Sequence, residues 1–102
     1  MAILKEKVET GRNTDITLLF LVNNKAIDHK QLTRVQLYLG DVLLDSQMRS
    51  DLFDFSQSDG LVVKLGQAGL AVGRYLCRVY LFDSVNTLGK PWDDDVLMVE
   101  VL

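Results

Sequence analysis

The side chains able to do chemistry in this chain are few and scattered. Its one histidine, His29, stands in the polar run Asp28-His29-Lys30. Acyl transfer needs a histidine held between a nucleophile and an orienting carboxylate. Asp28 adjoins His29, but adjacent side chains seldom face each other, and no Gly-x-Ser-x-Gly turn exposes a serine. The sequence therefore puts His29 in a surface turn. The one cysteine, Cys77, alternates with Tyr75 and Val79. Facing inward in that register, its thiol is expected to be poorly ionised and inert, a packing residue. One cysteine and one histidine cannot supply the usual nitrogen and sulfur ligands of zinc. No cofactor is expected.

Asp93-Asp94-Asp95 is the densest group of ligating oxygens. Calcium needs several oxygens converging on one point. Three consecutive side chains diverge, and the spacing is not the alternating acidic loop with its fixed glycine. A solvated acidic loop is the expectation, with a calcium site as the alternative. Gly66, Gly69 and Gly73 lie too far apart to cradle a phosphate and read as turn residues. Trp92, beside Pro91, admits two readings. It stacks on a sugar or anchors a partner, or it folds back over the end of the domain. A carbohydrate- or calcium-binding loop spanning Asp83–Asp95 is thus the alternative function. An enzyme would need a cleft of convergent polar groups, and the sequence offers no set of residues for one.

The elements that must position these groups read mainly with period two. Ile3–Val8 is a first, edge strand, and Thr10-Gly11-Arg12-Asn13 a turn. Ile16–Val22 is a strand too apolar to wet one face. Thr33–Leu39 alternates, with Val35, Leu37 and Leu39 on one face and Arg34, Gln36 and Tyr38 on the other. Gly40-Asp41 fits a two-residue hairpin, since glycine supplies the positive φ, and Val42–Leu44 returns. In Asp45–Ser58, Met48, Leu52 and Phe55 fall at roughly helical spacing. A short helix and an irregular crossover with a short strand near Phe53 both accommodate them. Leu61–Leu65, Tyr75–Phe82 and Val96–Leu102 complete about seven strands, with Gly66–Gly73 and Asp83–Asp95 as loops. The predicted core is Leu18, Phe20, Val35, Leu37, Val63, Leu65, Cys77, Val79 and Val99. The fold class is all-β, a two-sheet antiparallel sandwich with at most one short helix, with a partly open barrel as the alternative.

The totals bound the rest. The chain has 102 residues, one domain's worth (1–102), and is 48% hydrophobic, which excludes disorder. Its 11 lysines and arginines are outnumbered by 14 acids, for a net charge of −3. That balance argues against phosphate-backbone binding, so no nucleic-acid partner is expected. A single cysteine allows no internal disulfide and favours a reducing compartment. Charges arrive after four residues, so no signal peptide is expected, and the longest apolar run, Leu18–Val22, is too short to span a bilayer. The expected setting is cytoplasmic, without a membrane partner.

Two patterns carry a resemblance. Gly73-Arg74-Tyr75-Leu76-Cys77, with a tyrosine opening a strand, resembles the tyrosine corner of immunoglobulin-like sandwiches. That likeness implies a Tyr75 hydroxyl bonded back to the preceding connection. The strand Ile16–Val22 has no second cysteine, so an antibody-type disulfide is absent. The order of apolar strand, Val35-Gln36-Leu37-Tyr38-Leu39, Gly-Asp hairpin, Leu61–Leu65, glycine loop, Gly73-Arg74-Tyr75 and terminal strand is similar to that of small immunoglobulin-like domains of phage and prophage tails and baseplates. It implies a non-enzymatic structural or adaptor role, with a virion as the setting.

One surface expectation follows. If Ile16–Val22 and Tyr75–Phe82 are neighbours, Leu19 and Leu21 join Leu76, Tyr80 and Phe82 in one apolar patch, larger than a monomer normally exposes. Covered by a second copy, it makes the chain a homo-oligomer. Leu19, Leu21, Leu76, Tyr80, Phe82 and Trp92 are the expected interaction residues.

Overall fold

The computed structural model describes the chain except residues 1–2, 23–24 and 59 and the side chains of residues 3, 21, 22, 26 and 93–95. The described strands are β1 (Ile3–Val8), β2 (Ile16–Leu18), β3 (Leu21–Val22), β4 (Lys25–Ala26), β5 (Arg34–Leu39), β6 (Val42–Asp45), β7 (Phe53–Asp54), β8 (Leu61–Val63), β9 (Gly73–Phe82) and β10 (Lys90–Val101). The only helical pieces among the described residues are three single 3-10 turns, His29–Gln31, Ser50–Leu52 and Leu65–Gln67. The protein is thus mostly β, with no long helix.

Five strands form one sheet in the order β1-β10-β9-β5-β6, and three form a second in the order β2-β8-β7. A small ladder, β3-β4, stands apart. The pairing is not wholly antiparallel as expected: β1 runs parallel to β10, Ile3 opposite Val96 and Val8 opposite Val101. A parallel pair needs a long crossover, and here the rest of the chain supplies it.

Side-chain alternation explains how the two sheets share one core. Val35, Leu37 and Leu39 of β5, Cys77, Val79 and Leu81 of β9, and Leu97, Val99 and Val101 of β10 are buried. Ile16 and Leu18 of β2, Leu61 and Val63 of β8 and Phe53 of β7 join them in a single cluster. All nine core residues named from the sequence are buried. Full burial of each such side chain contributes about 1.5–3 kcal/mol.

The β5–β6 hairpin turns at Gly40, whose φ is 62°. Leu39 then faces Val42 and Leu37 faces Leu44. Gly66 has a different reason to be glycine. A Cβ there would lie 2.3 Å from both Arg12 O and Thr14 Oγ1. The Leu65–Gln67 turn docks on the connection after β1 through Gly66 N to Thr14 O, 2.9 Å, and Gly11 N to Gly66 O, 2.8 Å.

Three expectations about elements need correction. Ile16–Val22 is not one strand. It breaks at Leu19–Phe20, where the Phe20 carbonyl accepts from Ile27 N at 2.9 Å and the Phe20 ring turns into the core. Asp45–Ser58 holds no α-helix; the crossover reading describes it, with a 3-10 turn leading into β7. Asp83–Asp95 is not all loop. β10 begins at Lys90, and the three aspartates lie within it, in the stretch where the β9–β10 register shifts between Trp92 and Leu97.

Candidate interaction face

Strands β5 and β9 present every second side chain away from the core. The register aligns these in rows, Arg34 opposite Phe82, Gln36 opposite Tyr80 and Tyr38 opposite Arg78. Aromatic and cationic groups then pack on one another. The Arg34 guanidinium lies 5.3 Å from the Phe82 ring centre and that of Arg78 lies 5.6 Å from Tyr38. Tyr38 and Tyr80 meet edge to face at 5.6 Å. Each contact orients its partners and contributes about 0.5–1 kcal/mol at a surface site.

Asp45, at the end of β6, anchors this row. Its carboxylate is buried and accepts from the Arg34 guanidinium, from Gln36 Nε2 at 2.9 Å and from Gln47 N at 2.8 Å. Burial alone would raise its pKa. The bonds from Arg34, Gln36 and Gln47, with the Arg34 charge, outweigh that and bring it down to about 2. Asp45 thus stays ionised and holds Arg34 in place over Phe82. Gly89 lies against the tip of that ring, for a Cβ on it would fall 2.6 Å from Phe82 Cζ.

Two recesses open on the same face. One, about 230 Å³, lies between β9 and β10 at the register shift, lined by Leu76, Tyr80, Pro91 and Val96 beside Trp92. The other, about 320 Å³, is lined by Lys5, Glu6, Lys7, Arg74, Met98 and Glu100. Glu100 accepts from Arg74 Nε at 3.0 Å and has Lys7 Nζ at 3.8 Å. The Arg74 bond first, and the charges of both cations, hold its carboxyl below the usual range.

The residues expected from sequence fall in different places. Leu76, Tyr80 and Phe82 lie on this face. Leu19 is exposed but lies just past the end of β2, a strand of the other sheet, and the Leu21 side chain lies outside the described residues. Since β2 pairs with β8 and β9 with β5 and β10, the expected single patch does not form. Trp92 is buried and meets Phe20 edge to face at 5.2 Å; of its two readings, the inward one describes it. The Asp93–Asp95 side chains lie outside the described residues.

His29 is not a surface residue. It is buried, and Nε2 donates to the Gln57 carbonyl at 2.7 Å, tying its 3-10 turn to the segment before β8. Asp28 does not orient it, for its Oδ1 accepts from Lys30 N at 3.0 Å and caps the turn. Cys77 is buried and its thiol is pushed up to about 12 by that burial. Asp83 is engaged by its own loop, accepting from Asn86 N at 2.6 Å and Val85 N at 2.9 Å. Among the described residues no three His, Cys, Asp or Glu side chains converge as a metal site. Tyr75 Oη donates to Ala71 O at 2.7 Å, four residues upstream in the connection before β9.

This face thus gathers guanidinium groups against aromatic rings, an apolar recess and a recess of mixed charge. Arg34, Tyr38 and Arg78 were not among the expected interaction residues. Alternation put them on outer faces, but only the β5–β9 pairing brings them together. No family model, curated protein or solved structure matches this chain. No helix among the described residues is long and apolar enough to cross a membrane.

Proposed function

We propose that this chain is a non-enzymatic protein-interaction module of immunoglobulin-like kind, serving as a structural component of a phage or prophage tail or baseplate. The strand order supports the fold reading. In variable-type immunoglobulin domains the sheet of strands C, F and G is extended beyond C. In this reading β5, β9 and β10 stand for C, F and G, with β6 beyond β5, and β2-β8-β7 stand for B, E and D, an assignment the two sheet orders support. The Tyr75–Ala71 bond supports it further, standing where a corner tyrosine bonds the preceding connection.

The observation that carries the interaction reading is the outer face of the larger sheet. It gathers tyrosine, arginine and methionine, the residue types enriched at protein interfaces. Leu76 at its centre is 61% exposed. The partners in this reading are proteins. A photo-crosslinker, p-benzoylphenylalanine, placed at Leu76 in the native host is expected to capture one discrete protein, whereas the same group at Thr17, on the smaller sheet, captures none. Equal capture at both positions overturns the reading. The phage setting has its own check: tail or head genes beside the reading frame are expected, and an operon of metabolic genes contradicts it.

A further inference from the structure

An edge strand presents unpaired N–H and C=O groups, which pair readily with another chain unless something blunts them. The outer strands of both sheets are blunted by length or by lysine. β2, β6 and β7 have three, four and two residues. β1 has six and carries the exposed Lys5 and Lys7. A further edge lies inside the larger sheet. β1 pairs with β10 only from Val96 onward, so Lys90–Trp92 has β9 as its one neighbouring strand among the described residues.

The ladder fixes which way the Pro91 backbone points. Val35 turns both of its backbone groups toward the β6 side, for Ser46 N donates to Val35 O at 3.0 Å and Val35 N to Ser46 Oγ at 2.9 Å. Backbone groups alternate sides along an antiparallel strand. Arg34 and Gln36 therefore bond toward β9, and their partners Phe82 and Tyr80 bond back toward β5. In β9 it is then Leu81 and Val79 that bond toward β10, where Lys90 and Trp92 lie opposite them. Pro91, opposite Tyr80, has its nitrogen and its carbonyl turned to the open side, and it is exposed there. A proline nitrogen carries no hydrogen. At this position that takes nothing from the β9–β10 ladder and removes a donor from the open edge. A second copy laid antiparallel along the same edge, position 91 opposite position 91, would have to exchange two N–H to C=O bonds there. Proline on both sides removes both, and its ring stands where each hydrogen would point.

We infer that Pro91 keeps the open edge of β10 from pairing with the same edge of a second copy. The inference concerns the edge of the sheet and does not depend on a partner at its outer face. Cys77, the one cysteine, allows the chain to be joined by ligation from residues 1–76 and a synthetic peptide of residues 77–102. Three proteins are compared by light scattering from micromolar to near-millimolar concentration: the parent, Pro91→Val, and a chain with N-methylvaline at position 91, which has the valine side chain but no N–H. Two restored hydrogen bonds, one from each copy, are expected to tighten self-association of Pro91→Val about tenfold or more over the other two. The new amide at position 91 should become protected from hydrogen exchange as concentration rises. Association through the faces is common to all three proteins and cancels in the comparison. Pro91→Ala, with a smaller side chain, should behave as Pro91→Val does. Equal association of parent and Pro91→Val, equal association with N-methylvaline, or a position 91 amide whose exchange ignores concentration each overturns the inference. So does loss of the folded state in both Pro91→Val and Pro91→Ala, since the β9–β10 ladder would then depend on the proline itself.

Discussion

The two sheets bury their inner faces alike but differ on their outer ones. On the smaller sheet Thr17, Val62 and Asp54 form the outward row, aligned by the β2-β8-β7 register. These are short side chains, and Asp54 turns to its own loop, where Ser56 and Gln57 bond it and draw its pKa down to about 2. On the larger sheet the outward positions hold Tyr38, Leu76, Tyr80, Phe82 and Met98 among arginines and lysines. Folding needs an apolar inner face from each sheet, and both supply it. It does not need aromatic and aliphatic bulk facing water, and the smaller sheet does without. The proposed docking role accounts for the excess on the larger sheet.

Substitutions can break that contrast at graded depths. The largest effect is expected at Gly66, where any Cβ meets backbone and a threonine hydroxyl on which both sheets' connections rest. Gly66→Ala should cost about 3 kcal/mol or more, read by urea unfolding, as overpacking without room to relax does. Leu37→Ala, on the inner side of β5, should cost about 3 kcal/mol by leaving a cavity. Asp45→Asn should cost about 2 kcal/mol through loss of charge-assisted bonds. Since the Asp45 pKa is lowered from 3.8 to about 2 in the folded protein, its contribution is whole above 3.8 and fades as pH falls through about 2. The stability gap between parent and Asp45→Asn should accordingly shrink over that window, and a gap that widens there contradicts the assignment. Tyr75→Phe should cost about 1 kcal/mol, the net value of one hydrogen bond, and a neutral result means the bond to Ala71 contributes nothing.

How much of this was legible depended on whether the signal ran along the chain or across it. Alternation in Val35-Gln36-Leu37-Tyr38-Leu39 and the Gly40-Asp41 turn are local, and the β5–β6 hairpin formed where they said. The tyrosine after Gly73 is also a local mark, and Tyr75 makes the backward bond. Pairing between distant strands leaves no such mark. Period two could not show that β2 and β9 lie in different sheets, so the patch joining Leu19 to Leu76 was drawn across a gap. Pro91 misled for a physical reason. Proline argues against a central strand, yet β1 pairs with β10 only from Val96 onward. At Pro91 the strand has β9 alone as neighbour, an edge where a missing N–H is harmless. That edge brought Trp92 into a strand and into the core. His29 was hidden because its partner is a backbone carbonyl 28 residues away, and nothing in the neighbouring sequence announces it.

Equilibrium urea unfolding of the double variant Leu76→Gln with Met98→Gln tests most directly whether the bulk on the larger sheet serves docking. Both side chains lie on its outer face and pair across β9 and β10. If the fold rests on the inner faces, the variant stays within about 1 kcal/mol of the parent with an unchanged β-type circular dichroism spectrum. A loss comparable to the roughly 3 kcal/mol expected of Leu37→Ala would mean that these residues hold the fold itself together, and the contrast between the two faces would no longer point to a partner.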